Sequence, residues 1–273
     1  MNNSDYQRLP AISSHWLIEM LKSPADCWRK YLDPQRTTEE PTHALRFGTL
    51  VHCLALTPHQ FEHEFIVADY ERRSNAGKSR YAELVATGRT VVRPAELEKA
   101  RAIAAALHAD PDARTLLRGG KKERTIIQPR TNGLLPLKAR LDIHQEARRQ
   151  VVELKTTYSI HVVETAIARY RYLLSAAFYQ NMVKGQSVVF VFVQTAPPHD
   201  VVVIPMGREQ LQEGREQWQT ALARFDQCFR ANDWPEAAPI MEADDDDPLM
   251  LPTKIMPRCN GPRFDLPLGE LAL

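Results

Sequence analysis

The run SVVFVFV at 187–193 constrains the fold more than any other stretch. It is the longest strongly apolar run in the chain, far too short to span a bilayer, and it reads as a buried strand. Three further strands precede it. ERTIIQP (123–129), LPLKARLDIH (135–144) and QVVELKTT (150–157) are separated by a turn at Thr131-Asn132-Gly133 and another near Glu146-Ala147. A long helix over roughly 160–184 leads into the apolar strand. A fifth strand, DVVVIPM, follows the Pro197-Pro198 turn, and a helix over about 208–231 closes the sequence pattern. Helices, a three-strand meander, a helix, a strand pair and a helix in that order predict an α/β fold, a mixed sheet with helices on both faces.

The region before the meander is helical. ISSHWLIEMLKSPADCWRKYLDP reads as two short helices jointed at Ser23-Pro24, with Ser capping and Pro at the first helical position. A third helix in PTHALRFGTLVHCLALTP stops at Pro58. The stretch from Asp69 to Arg89 carries Arg72, Arg73, Lys78 and Arg80 and reads as a basic loop holding a short helix. RPAELEKARAIAAALHA is helical to about His108, and another short helix begins near Asp110. After Trp234 the chain is Pro-rich and acidic, with DDDD at 244–247, so residues 235–273 are expected to be an extended or disordered tail.

Composition excludes several classes. With 44% hydrophobic and 25% charged residues the chain is not fibrous or wholly disordered. Its formal net charge is +1, so any affinity for nucleic acid must come from local patches. MNNSDYQRLP has no secretory pattern. Cys27, Cys53, Cys228 and Cys259 show no CxxC spacing. A reduced, cytoplasmic protein without a membrane segment is expected, and neither a zinc site, a disulfide framework nor an iron–sulfur cluster is.

The chemistry lies in the second hairpin. Side chains alternate along a strand, so Val151, Glu153 and Lys155 share one side of VVELKTT while Val152 and Leu154 share the other. A turn centred between Ala147 and Arg148 sets Asp142 directly opposite Glu153, with Cβ atoms about 4.5–5.5 Å apart. Arg140 and His144 share the face of Asp142. Two opposed carboxylates repel unless a cation lies between them, and oxygen ligands suit a hard ion such as Mg²⁺ or Mn²⁺. Lys155, one pleat further, could orient a water or stabilise charge on a phosphoryl oxygen. The alternative is an ordinary ion pair of Asp142 or Glu153 with Lys155 or Arg140.

LDIHQEARRQVVELK resembles the D-(x)n-(D/E)-x-K signature of the PD-(D/E)XK nuclease superfamily. FGTLVHCLAL is similar to the G-x-x-x-H helix of its recombination-nuclease branch, through Gly48 and His52. ARYRYLLSAAFYQNM resembles the helix that follows the catalytic strands, with Tyr179 on its characteristic tyrosine. The N-terminal helices and the basic loop ERRSNAGKSRYAELVATGRTVV are similar as well, so the likeness runs from about residue 10 to 232. Within that branch the chain resembles the exonuclease VIII (RecE-type) group of phage and prophage nucleases.

That resemblance implies a restriction-endonuclease-like core at about 119–234, an N-terminal helical part at about 10–118, and one nuclease domain over 1–234. It implies Asp142, Glu153, Lys155 and His52 as catalytic residues and Asp142, Glu153, His52 and Glu123 as ligands of Mg²⁺ or Mn²⁺. Tyr179, Arg72, Arg73, Lys78 and Arg80 would contact DNA. Ser175 stands where the branch carries glutamine, and it is too short for the same reach. The implied activity is exonucleolytic hydrolysis of duplex DNA from its ends, 5′ to 3′, by a closed homo-oligomer working with a single-strand annealing protein in recombination. A non-catalytic DNA-binding or assembly protein on the same fold, and an endonuclease or nickase using the same site, are the alternatives.

Overall fold

In the computed structural model the structure is described for residues 3–37, 41–69 and 73–237. Arg72, Cys259 and most of the expected acidic tail lie outside them. The chain opens with α1 (Asn3–Arg8), α2 (Ser14–Lys22) and α3 (Pro24–Tyr31), and Ser23 caps α3 by accepting the Asp26 N–H. Next come α4 (His43–Leu56), the short α5 (Phe61–Glu64) and β1 (Phe65–Val67). They are followed by α6 (Asn75–Ala86), β2 (Thr90–Val92), α7 (Pro94–Ala109) and α8 (Pro111–Leu117). β1 and β2 form a small parallel pair. Neither these strands nor α1 stand out in the sequence, because three strand residues carry too few alternations to register.

The main sheet is β3 (Lys121–Gln128), β4 (Leu137–Gln145), β5 (Gln150–Thr157), β6 (Ser187–Gln194) and β7 (Val201–Pro205), in that spatial order. β5 and β6 are parallel and the other neighbours antiparallel, so the sheet is mixed as expected. The crossover between the parallel strands runs through α9 (Val163–Arg169) and α10 (Tyr172–Val183), and α11 (Arg208–Ala231) follows β7. The helix expected as one piece over 160–184 is therefore two. It breaks at Tyr170 and Arg171, where Arg171 takes a left-handed φ of 54°.

Alternate residues of β6 explain the cover on both faces. Val188, Phe190 and Phe192 enter a core with α2, α3, α10 and α11, whereas Val191 and Val193 enter a second core with α4, α7 and α8. Fully burying a side chain of this size contributes about 1.5–3 kcal/mol, so β6 anchors both layers. α10 and α11 meet with little space between them. A β-carbon at Gly214 would fall 2.0 Å from the Leu173 carbonyl oxygen, so only glycine allows this approach. After α11, Trp234 packs edge-on against Phe225 at 5.3 Å, the Pro235 carbonyl accepts the Ala25 N–H, and Glu236 pairs with Arg29. Residues 235 and 236 are thus docked on α3, at the start of what the sequence reads as tail.

Candidate metal centre at a fork in the sheet

β4 and β5 are laddered only near their turn, with Ile143 facing Val152, His144 facing Val151 and Gln145 facing Gln150. One pair further on, at Asp142 and Glu153, the strands part. The ladder bonds give way to side-chain ones: Leu154 N–H donates to Asp142 Oδ2 at 2.8 Å, and Asp142 N–H donates to Glu153 Oε1 at 3.4 Å. The simple opposition expected from the turn is therefore a fork, in which each carboxylate satisfies a backbone group that the parting would leave unpaired.

The N-terminal segment fills the fork. Ile12 bridges to Leu137, with its N–H on the Pro136 carbonyl and its own carbonyl accepting the Lys138 N–H, both at 2.8 Å. Lys138 is 1% exposed. Its ammonium donates to the carbonyls of Tyr6 and Leu9 at 2.9 Å and of Gln7 at 3.3 Å, and lies 4.8 Å from the Tyr6 ring. This three-carbonyl clamp fixes the chain's first turn beside the sheet. Ser14, at the head of α2, donates to the Tyr179 hydroxyl at 3.2 Å.

On the other side of β4, β3 pairs Lys122 with Ile143 and Arg124 with Leu141 but skips Glu123. Glu123 has φ 47°, a conformation uncommon for a residue with a side chain. Three carboxylates thus lie across three neighbouring strands, Glu123, Asp142 and Glu153. α4 brings the fourth group: His52 Nδ1 is 3.4 Å from Asp142 Oδ1. Ligand atoms of His52, Glu123 and Asp142 all lie within 4.8 Å of one another. A mixed imidazole and carboxylate set of this kind fits a divalent cation such as Mg²⁺ or Mn²⁺. Gly48 is not needed for the helix to reach the hairpin, since a β-carbon there would meet only Thr156 Oγ1 at an ordinary 3.5 Å.

Electrostatics divide the cluster. Burial disfavours the Asp142 charge, but His52 and Lys155 outweigh it and hold that carboxyl at about 2. Burial and then the Asp142 charge push Glu153, 2% exposed, up to about 7. Burial and Asp142 likewise raise Glu123, whose Oε2 accepts from Arg140 Nε at 2.7 Å. Lys155 is pulled down by burial yet held above its ordinary value by Glu153 and Asp142, which lie 3.0 and 3.9 Å from its ammonium. His52 is pulled down by burial and raised more by the Asp142 charge and hydrogen bond.

The structure brings together His52, Glu123, Asp142, Glu153 and Lys155. Tyr179 lies against them, buried, with its hydroxyl pushed up by burial and then by Glu153. It faces the interior of the site, one turn beyond the buried Ser175. Arg73, Lys78 and Arg80 are exposed around the start of α6. Lys138 and Tyr6 carry no sequence signal of this role, since a lysine within a strand ordinarily signals a solvated face. Cys27, Cys53 and Cys228 are buried free thiols. No helix among the described residues is long and apolar enough to cross a membrane.

Residues 13–243 match the family model described as a PDDEXK-like domain of unknown function (DUF3799). Among solved structures, the fold is similar to that of a protein of Eubacterium rectale described as an exonuclease. The two share 14% identity at a TM-score of 0.64, over 93% of this chain and 96% of that one. A phage related exonuclease of Haemophilus somnus shares 15% identity at a TM-score of 0.32, over 59% of this chain and 90% of that one. An alkaline exonuclease of Laribacter hongkongensis shares 17% at 0.31, over 63% and 93%. No curated protein matches the chain.

Proposed function

The chain belongs to the PDDEXK-like DUF3799 family, and on that premise we propose that it is a metal-dependent deoxyribonuclease whose centre is the fork between β4 and β5. The observation that carries this reading is the convergence of His52, Glu123 and Asp142 within 4.8 Å, beside a lysine bonded to Glu153. Asp142, Glu123 and His52, with Glu153 from the parted strand, would hold Mg²⁺ or Mn²⁺. A divalent cation there supplies Lewis acidity and charge neutralisation at a phosphodiester. Lys155 presents a fixed positive charge to the phosphate, and its two carboxylate partners keep it protonated at any working pH. Without a cation, burial and the Asp142 charge push Glu153 up to about 7, so a bound cation would displace its proton and take the carboxylate as a ligand. Tyr179 and Ser14 hold the wall behind Glu153 and Lys155.

The reading extends to one nuclease domain over about 1–234, because His52 comes from the helical part and the carboxylates from the core. Exonucleolytic 5′-to-3′ action on duplex ends, phosphate contacts by Arg72, Arg73, Lys78 and Arg80, and contact of Tyr179 with DNA rest on the family resemblance alone. So do a closed homo-oligomer, a single-strand annealing partner, and a cytoplasmic role in recombination. Digestion of linear duplex DNA labelled at one 5′ end, with Mg²⁺ or Mn²⁺ and with or without EDTA, tests activity and polarity together. Absence of metal-dependent release from duplex and single strands alike removes the enzyme reading and leaves a DNA-binding protein. Supercoiled plasmid in the same assay exposes an endonuclease or nickase.

A further inference from the structure

An aromatic path leads out of the fork. The Lys155 ammonium lies 5.8 Å from the centre of the Tyr172 ring, which stacks on Phe190 at 5.5 Å and 25° and is thereby fixed to the sheet. The Tyr170 ring is 5.7 Å from that of Tyr172, tilted by 32°. Beyond it, the Arg169 guanidinium carbon is 5.9 Å from the Tyr170 ring centre. Tyr170 is 54% exposed, and its chain neighbours Arg169 and Arg171 are exposed as well. The break between α9 and α10 creates the arrangement. A continuous helix would set residues 170 and 172 on different faces, whereas the left-handed Arg171 lets both rings line one path.

We propose that Tyr170 and Tyr172, flanked by Arg169 and Arg171, form a stacking platform for the unpaired bases of a single-stranded nucleic acid running from the surface to Lys155. The ligand chemistry follows from the lining. Flat π-faces beside the Arg169 guanidinium and next to the exposed Arg171 match a strand that alternates bases with phosphates, and such contacts tolerate any sequence. A duplex hides its base faces in its own stack, so the platform selects unpaired residues. The inference rests on reading the fork as the cleaving centre, and it adds that the strand arrives there separated from its complement.

The test is binding in EDTA, where no cleavage occurs. A fluorescent single-stranded oligothymidylate and the same backbone carrying abasic sites are titrated with wild type, Tyr170→Ala and Tyr170→Trp. Wild type should bind the base-bearing strand about tenfold or more tightly than the abasic one. Tyr170→Ala should lose that preference, and Tyr170→Trp should keep it. Equal binding of both strands by wild type, no binding of either, or an unchanged preference in Tyr170→Ala overturns the proposal. Digestion of duplex DNA with metal is scored separately. A protein that stacks bases but never cleaves retires the nuclease reading, and one that cleaves without the base preference retires the platform.

Discussion

Asp142 and Glu153 lie one residue beyond the last ladder pair of β4 and β5 and titrate in opposite directions, the first down to about 2 and the second up to about 7. Without a cation, one fixed negative charge and one exchangeable proton therefore share the mouth of the fork.

Asp142→Ala and Glu153→Ala are each expected to lose metal-dependent cleavage while the chain still folds. Rates on linear duplex DNA, normalised to folded protein by circular dichroism, check this. Activity within about tenfold of wild type, roughly 1.4 kcal/mol of barrier, would remove the residue from the centre.

His52→Ala separates a ligand from a packing residue. A ligand's loss removes most Mg²⁺-supported turnover and weakens cation binding measured by calorimetry. Asp142 raises His52 above the ordinary histidine value of 6.5, so cation affinity of the wild type should already fall as pH drops toward that value. A variant that melts earlier but cleaves at the wild-type rate in the cold shows that His52 only packs.

The metal-free protein should lose stability as pH rises. Glu153 binds its proton more tightly folded than unfolded, so its contribution is complete below the ordinary value of 4.5 and disappears as pH climbs through about 7. His52, also raised, adds a loss in the same direction above 6.5. Asp142 acts at the other end, where stability falls as pH drops from 3.8 through about 2. Melting temperatures in EDTA from pH 5 to 8 should decline for wild type and decline less for Glu153→Gln. Parallel curves would contradict the shift.

Gly214→Ala drives a methyl group into the Leu173 backbone, which cannot swing aside as a side chain could. Overpacking of this kind costs about 1–3 kcal/mol, and chemical denaturation should show at least that loss. A neutral result would mean that α10 and α11 slide apart freely.

Lys138→Met removes the donor to three carbonyls while keeping most of the stem's bulk. Residues 3–11 should then become cleavable by protease in the otherwise folded protein. Protection equal to wild type would show that the Ile12 bridge alone holds the segment.

Much of this was legible in the residues. The alternation of Val151, Glu153 and Lys155 against Val152 and Leu154 identifies β5, and the turn near Ala147 sets the pairing observed from Ile143 to Gln145. What escaped is where the pattern stops. Nothing in LDIH or VELK announces that the carboxylates will replace ladder bonds, because local pattern cannot encode a backbone partner lost to a third segment around Ile12. Glu123 was visible only through resemblance, since its left-handed turn breaks the alternation that would mark its face. The break at Arg171 carries neither glycine nor proline, so YRYLLSAAFY reads as uninterrupted helix. Lys138 and Tyr6 meet across 132 residues, a distance over which sequence periodicity is silent.

That last separation also bears on biosynthesis. At about 5–20 residues per second of translation, roughly 7–26 seconds pass between the emergence of Tyr6 and that of Lys138. Ser14 waits longer still for Tyr179, 165 residues later. The wall of the fork therefore cannot close on a nascent fragment, and a chain released early carries the histidine helix without its carboxylates. The groups gathered at the fork, from His52 to Lys155, therefore all emerge before the tyrosine on α10 that closes the wall behind them.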